Sequence, residues 1–125
     1  MKARRVLVVE DDADTREVLE LALSNEGFQV EVAGDLDGVS EVLSSRTPHV
    51  ILLDYFVDGA DVTDFLNVLR EHQIQLPIIL MTGAAEGPRR AQELGIQFSI
   101  VKPFGMDEVI RLLHRAIALR RVGTA

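Results

Sequence analysis

The sequence contains no cysteine in its 125 residues, so neither a disulfide framework nor a thiolate metal site is open to it, and nothing points to an oxidising compartment. A cytoplasmic protein is expected. No apolar stretch approaches the roughly 18 to 20 residues needed to cross a bilayer. The opening Met1-Lys2-Ala3-Arg4-Arg5 runs straight into a short strand pattern, too brief for the apolar region of a signal peptide, so no membrane contact is expected. Basic charge is also scarce. With 13 Lys and Arg against 20 Asp and Glu the net charge is −7, which argues against direct nucleic-acid binding, because such binding rests on neutralising phosphates. Internal repeats, low-complexity tracts and linkers are absent, and the expected partners are proteins or small ions.

What is present is a 47% hydrophobic composition, enough for one domain over residues 1–125 to bury its own core, and no second domain is expected within these residues. Short apolar runs alternate with stretches of helical period, the pattern of repeated βα units around a parallel sheet. The first run covers residues 4 to 9. A helix is expected from about Asp14, where Asp14 and Glu17 have capping-box spacing and Val18, Leu19, Ala22 and Leu23 form an apolar stripe, with Gly27 placed to end it. Phe28-Gln29-Val30-Glu31-Val32 alternates apolar and polar residues, which marks a half-exposed edge strand.

A second helix is expected from Asp35 to Ser45, followed by a strand ending at Asp54, and a third helix from Asp61 with Val62, Phe65, Leu66 and Leu69 turned inward. Pro77 opens the fourth strand, where only a terminal ladder bond is lost. The fourth helix begins at Pro88 and has room for only about two turns before Gly95. A strand from Phe98 to Val101 and a long helix from Met106 to Arg121 complete five βα units. Right-handed crossovers and helices on both faces make a doubly wound five-stranded parallel sheet with five helices the best fit.

The ends of four apolar runs carry chemistry. Glu10-Asp11-Asp12 closes Val6–Val9, Asp54 closes Val50–Leu53, Thr82 closes Ile78–Met81, and Lys102-Pro103 closes Ile100-Val101. Open α/β sheets bind ligands at these carboxyl ends. If Asp11, Asp12 and Asp54 converge within about 4 Å, each pair repels by roughly 4 kcal/mol at an effective dielectric near 20, so positive charge must sit among them. Lys102 supplies one charge and a hard divalent cation such as Mg²⁺ suits the rest. Asp54 then becomes a nucleophile whose phosphoryl partner is oriented by metal, ammonium and hydroxyl together. His49, His72 and His114 are scattered without metal spacing and are expected to be structural or solvated.

In order and spacing, Glu10-Asp11-Asp12, Asp54, Thr82-Gly83 and Lys102-Pro103-Phe104 resemble the receiver domain of two-component response regulators, over essentially the whole chain. The resemblance implies the flavodoxin-like strand order 2-1-3-4-5. It implies that Asp54 accepts a phosphoryl group from the phosphohistidine of a histidine kinase or phosphotransfer protein. Mg²⁺ (or Mn²⁺) would be held by Asp11 or Asp12 with Asp54 and the backbone carbonyl of Phe56, Asp12 being the favoured direct ligand. Lys102 would bond the phosphoryl oxygens and Thr82 would move toward them, changing the face made by the fourth helix, fifth strand and fifth helix for a downstream protein target. A phosphorylation-dependent homodimer is compatible with this, and the Lys102-Pro103 bond would be cis. Such a protein is a signalling phosphoacceptor and not an enzyme.

Two departures bear on mechanism. Ser99 stands where receivers often carry an aromatic residue, with Phe98 expected on the opposite face of its strand, and Asp58 replaces the family's common proline after the phosphoacceptor. Phe56 and Ala84, at positions flanking the phosphoryl group, have no polar side chain to orient water, which favours slow self-dephosphorylation. A phosphorylation-independent interaction scaffold is the alternative reading. An aspartate-nucleophile phosphatase would usually carry a second acid where Phe56 stands, and a flavin site would clash with three acids after the first strand.

Overall fold

The computed structural model describes residues 4–55, 57–83 and 87–123, with side chains described as far as residue 119. Five strands form in chain order: β1 (Arg5–Val9), β2 (Gln29–Ala33), β3 (Val50–Asp54), β4 (Ile78–Thr82) and β5 (Phe98–Val101). Between and after them lie α1 (Ala13–Asn25), α2 (Leu36–Ser45), α3 (Val62–Glu71), α4 (Gly87–Glu93) and α5 (Met106–Gly123). The strands are all parallel, in the order β2-β1-β3-β4-β5. This is the expected doubly wound sheet, and β2 lies at its edge.

Alternation along the strands sorts the core into two layers. Leu7, Val9, Ile51, Leu53 and Leu80 face Val39, Leu43, Phe65 and Ala91 of α2, α3 and α4. Val6, Val8, Val50, Leu52, Ile79 and Met81 face Leu19, Leu23, Val109 and Leu113 of α1 and α5. Because β1, β3 and β4 are covered on both sides, their sequences read as unbroken apolar runs.

The start of α1 differs from the expected one. Asp12 is its N-cap, with extended backbone and a carboxylate accepting from the Thr15 N–H at 2.9 Å, so the helix begins at Ala13 and Asp14 already lies inside it. The Asp14–Glu17 spacing was therefore not a capping box. The box forms instead on α3, where Asp61 accepts from the Asp64 N–H and Asp64 accepts from the Asp61 N–H. The inward stripe of α1 is also narrower than expected: Leu19 and Leu23 are buried, but Val18 is 60% exposed. Gly27 does end this helix, at a φ of 95° that favours glycine, with Phe28 N–H returning to the Leu23 carbonyl. Helix α4 is short as expected, seven residues, and starts at Gly87, one residue before Pro88.

Candidate functional site

Backbone ladder bonds continue past the strands and hold the residues that follow them. Glu10 N–H donates to the Ala33 carbonyl at 3.0 Å, Tyr55 N–H to Met81 at 2.9 Å, and Lys102 N–H to Thr82 at 2.7 Å. Since Val9 pairs with Leu53 across β1 and β3, the next step of each chain brings Glu10 beside Asp54. Alternation turns both, and Lys102, to the same side of the sheet as Val8, Leu52 and Ile100. Three carboxylates, of Glu10, Asp11 and Asp54, offer oxygen atoms within 4.8 Å of one another. Lys102 Nζ lies 3.0 Å from Asp54 Oδ1 and 3.1 Å from Glu10 Oε1.

Glu10 is 1% exposed. Burial, then a hydrogen bond shared with Asp54, raises its pKa above the ordinary carboxylate value, and the Asp12 N–H and Lys102 only partly offset this. For Lys102, burial alone would lower the pKa, but the bonds and attraction of Asp54 and then Glu10 outweigh it and the net shift is upward. At separations of about 4 to 5 Å, each ionised carboxylate pair repels by about 3 to 4 kcal/mol at an effective dielectric near 20. One ammonium among three acids leaves the site short of positive charge. Its donors are all carboxylate oxygens, the set that suits Mg²⁺ or Mn²⁺ better than a thiophilic metal.

The structure brings Asp11 and Asp54 together as expected but places Asp12, the favoured direct ligand of the sequence reading, outside this group of three carboxylates. The Asp12 carboxylate is exposed and committed to α1, bonded to both the backbone N–H and the hydroxyl of Thr15, and those bonds lower its pKa. Glu10 takes its place in the cluster. The signal was present in the chain: Glu10 follows Val6–Val9 as directly as Asp54 follows Val50–Leu53, so equal steps past paired strands bring these two residues together. Arg16 steadies the same strand end, its guanidinium donating to the Glu10 carbonyl at 2.9 Å and lying where a Cβ on Gly34 would come within 2.8 Å.

Thr82 has the opposite alternation and is buried, 1% exposed, under the start of α4. A Cβ built on Gly87 would stand 1.9 Å from the Thr82 methyl and 2.8 Å from its hydroxyl oxygen, so only glycine lets α4 begin there. Phe98 is buried against α5, as its alternation predicted, with the Arg115 guanidinium 5.9 Å from its ring centre, while Ser99 is half-buried on the other face. The Lys102-Pro103 bond is cis. The expected roles of Phe56 and Ala84 fall outside the described residues.

A family model for the response regulator receiver domain matches residues 6–114. The chain belongs to this family. The receiver is 35% identical over 112 residues to the phosphate regulon transcriptional regulatory protein PhoB of Escherichia coli strain K12, an alignment covering 86% of this chain and 49% of that protein. It is 33% identical over 119 residues to the DNA-binding transcriptional regulator NtrC of Proteus hauseri, covering 94% of this chain and 25% of that one. The receiver thus spans half or less of the length of these relatives. Among solved structures it is similar to the receiver domain of the sensor histidine kinase PA1611 of Pseudomonas aeruginosa, with a TM-score of 0.80 and 25% identity over 94% of this chain and 99% of that one. That structure has a magnesium ion coordinated in its active-site cleft. NtrX from Brucella abortus matches with a TM-score of 0.87 and 27% identity, covering 98% of this receiver and 28% of that chain.

Receiver domains are signalling phosphoacceptors that bind Mg²⁺ at an acidic pocket, and this receiver has an acidic group of Glu10, Asp11 and Asp54 at the corresponding strand ends. Among the described residues no helix is long and apolar enough to cross a membrane.

Proposed function

We propose that Asp54 accepts a phosphoryl group from the phosphohistidine of a histidine kinase or phosphotransfer protein, in a Mg²⁺-dependent step, and that the product alters the face formed by α4, β5 and α5 for a downstream protein. The observation that carries this reading is the meeting of Asp54 with Lys102 at 3.0 Å inside a cluster of three carboxylates. An Asp54 oxygen forms the new bond to phosphorus while the phosphorus–nitrogen bond breaks and the histidine leaves with the electron pair. The chain is left carrying an acyl phosphate.

Glu10, Asp11 and Asp54 would hold the metal, with the Phe56 carbonyl as a further oxygen ligand. Bound there, the cation neutralises carboxylate charge and stabilises the negative charge of the transferring group. Lys102 supplies the second positive group. Its ammonium already bridges Asp54 and Glu10, so phosphoryl oxygens arriving at Asp54 arrive beside a donor. The phosphoryl group adds about −1.5 to −2 charge and strong acceptor oxygens. Thr82, packed against Gly87, would link that new charge to α4, because its side chain lies against the first turn of that helix.

The protein then acts in the cytoplasm as a phosphorelay component and not as an enzyme, with protein partners. The net charge of −7 disfavours direct nucleic-acid contact by this receiver, whatever longer relatives do. A homodimer formed on phosphorylation is one form the altered face can take.

One observation favours a second reading, a phosphorylation-independent scaffold. The aromatic of β5, Phe98, is buried against α5, and Ser99 occupies the other face, so no aromatic side chain of that strand is placed to swing with Thr82. The deciding experiment is the intact mass after incubation with acetyl phosphate, with and without Mg²⁺, beside Asp54→Ala. A single phosphoryl gain that needs both Mg²⁺ and Asp54 is expected. Absence of any gain, together with partner binding that survives Asp54→Ala, would establish the scaffold.

A further inference from the structure

The loop after β3 contains a tight turn aimed at the acidic cluster. Val57 and Ala60 exchange backbone hydrogen bonds, Val57 N–H to Ala60 at 3.1 Å and Ala60 N–H to Val57 at 2.9 Å. The two residues between them, Asp58 and Gly59, have φ values of 50° and 78°. Two consecutive positive φ values define a type I′ turn, for which Asp-Gly is a favoured pair. Val57 and Ala60 are both buried in the layer facing α2, α3 and α4, so the turn stands on fixed ends. At its tip the Asp58 N–H donates to Asp11 Oδ2 at 2.9 Å, across 47 positions of sequence.

We propose that Asp58 is a positioning residue for Asp11, acting through its backbone N–H and not through its carboxylate. Asp11 stands exposed between β1 and α1, where an unsupported carboxylate would sample several rotamers. A charge-assisted hydrogen bond from a rigid turn holds it in one orientation before the metal arrives, so less ordering remains to be done on binding. Such outer partners of a ligating carboxylate are a regular part of metal sites. The turn demands a residue that has an N–H and tolerates a left-handed backbone, as Asp, Asn and Gly do. Proline meets neither condition, having no N–H and a φ fixed near −65°. The side-chain charge of Asp58 is incidental to this role.

This inference rests on the reading of the cluster as a Mg²⁺ site, and calorimetric Mg²⁺ titration of the purified chain separates the two. Wild-type protein that binds no Mg²⁺ would sink the functional reading. Given wild-type binding, Asp58→Asn and Asp58→Gly remove the charge but keep the N–H and should agree within about twofold, while Asp58→Pro should bind about tenfold more weakly than either. Equal dissociation constants for Asp58→Pro and Asp58→Asn would overturn the proposal. Gly59→Val gives a second route if the proline variant does not fold. It leaves Asp58 in place and its Cβ would meet no neighbouring atom within 4 Å, but it strains the turn at a φ of 78° and should weaken binding in the same direction. Unchanged affinity in that folded variant would also overturn it. A metal-free readout is the Asp58 amide proton resonance, which should lie downfield and move upfield in Asp11→Asn; a resonance that does not move contradicts the bond.

Discussion

At the amino ends of the strands, Arg5 is held by several partners: its N–H donates to His49 Nδ1 at 2.8 Å, its guanidinium reaches the Thr47 carbonyl at 3.0 and 3.2 Å, and its carbonyl accepts from His49 N–H at 2.8 Å. At the carboxyl ends, three carboxylates lie within 4.8 Å of one another and share one lysine. The same strands therefore end in mutual satisfaction on one side and in surplus negative charge on the other. The first end stabilises the sheet. The second is held together by the fold despite its own repulsion, which leaves it ready for a cation and for chemistry that gains from neutralising it.

Substitutions at the two ends should behave oppositely. The largest effect belongs to Asp54→Ala, which should abolish phosphoryl uptake from acetyl phosphate by intact mass while leaving the protein folded by circular dichroism. Lys102→Ala should follow, slowing phosphoryl transfer by about 100-fold in a single-turnover assay, the usual cost of removing one donor from a developing negative charge. A loss no larger than twofold would mean that the ammonium serves the resting carboxylates alone.

Glu10→Gln tests the surplus of charge directly. Because the folded pKa of Glu10 is raised, its contribution to stability is fully present below the unfolded value of 4.5 and is lost as pH rises through the folded value. Once ionised, the side chain therefore works against folding, and Glu10→Gln should raise metal-free stability by about 1 kcal/mol in denaturant titration above the folded value. The gain should shrink as pH falls from there toward 4.5. A destabilised Glu10→Gln above the folded value would show that the contact with Lys102 outweighs burial.

At the opposite end, His49→Ala removes the acceptor of the Arg5 N–H and should destabilise the protein by about 1 kcal/mol with no change in Mg²⁺ affinity. The smallest effect is expected for Asp12→Ala. It should lower the melting temperature through loss of the α1 cap while Mg²⁺ affinity changes little, and a large loss of affinity would make Asp12 a ligand.

The order of elements and the identity of the strand ends could be read from the chain because they depend on local pattern. Apolar runs of four or five residues mark strands covered on both faces, and each run stops where a charged or hydroxyl residue follows it. The choice among Glu10, Asp11 and Asp12 could not be read in the same way. One step along an extended backbone reverses the direction of a side chain, and the extended cap conformation of Asp12 then sends its carboxylate back to Thr15. The exposed Val18 shows the same limit, since helical periodicity gives the width of an apolar stripe only approximately.

Residue types and their spacing thus determined that this chain forms a parallel α/β sheet with acids, a hydroxyl and an amine at its carboxyl edge. Tertiary structure decided which acids meet. The pairing of β1 with β3 sets Glu10 beside Asp54, the turn after β3 carries the Asp58 N–H to Asp11, and the first turn of α4 closes over Thr82. Each of these contacts joins residues from different elements. Their geometry depends on strand register and on how turns rest on a buried core, quantities that no local pattern contains.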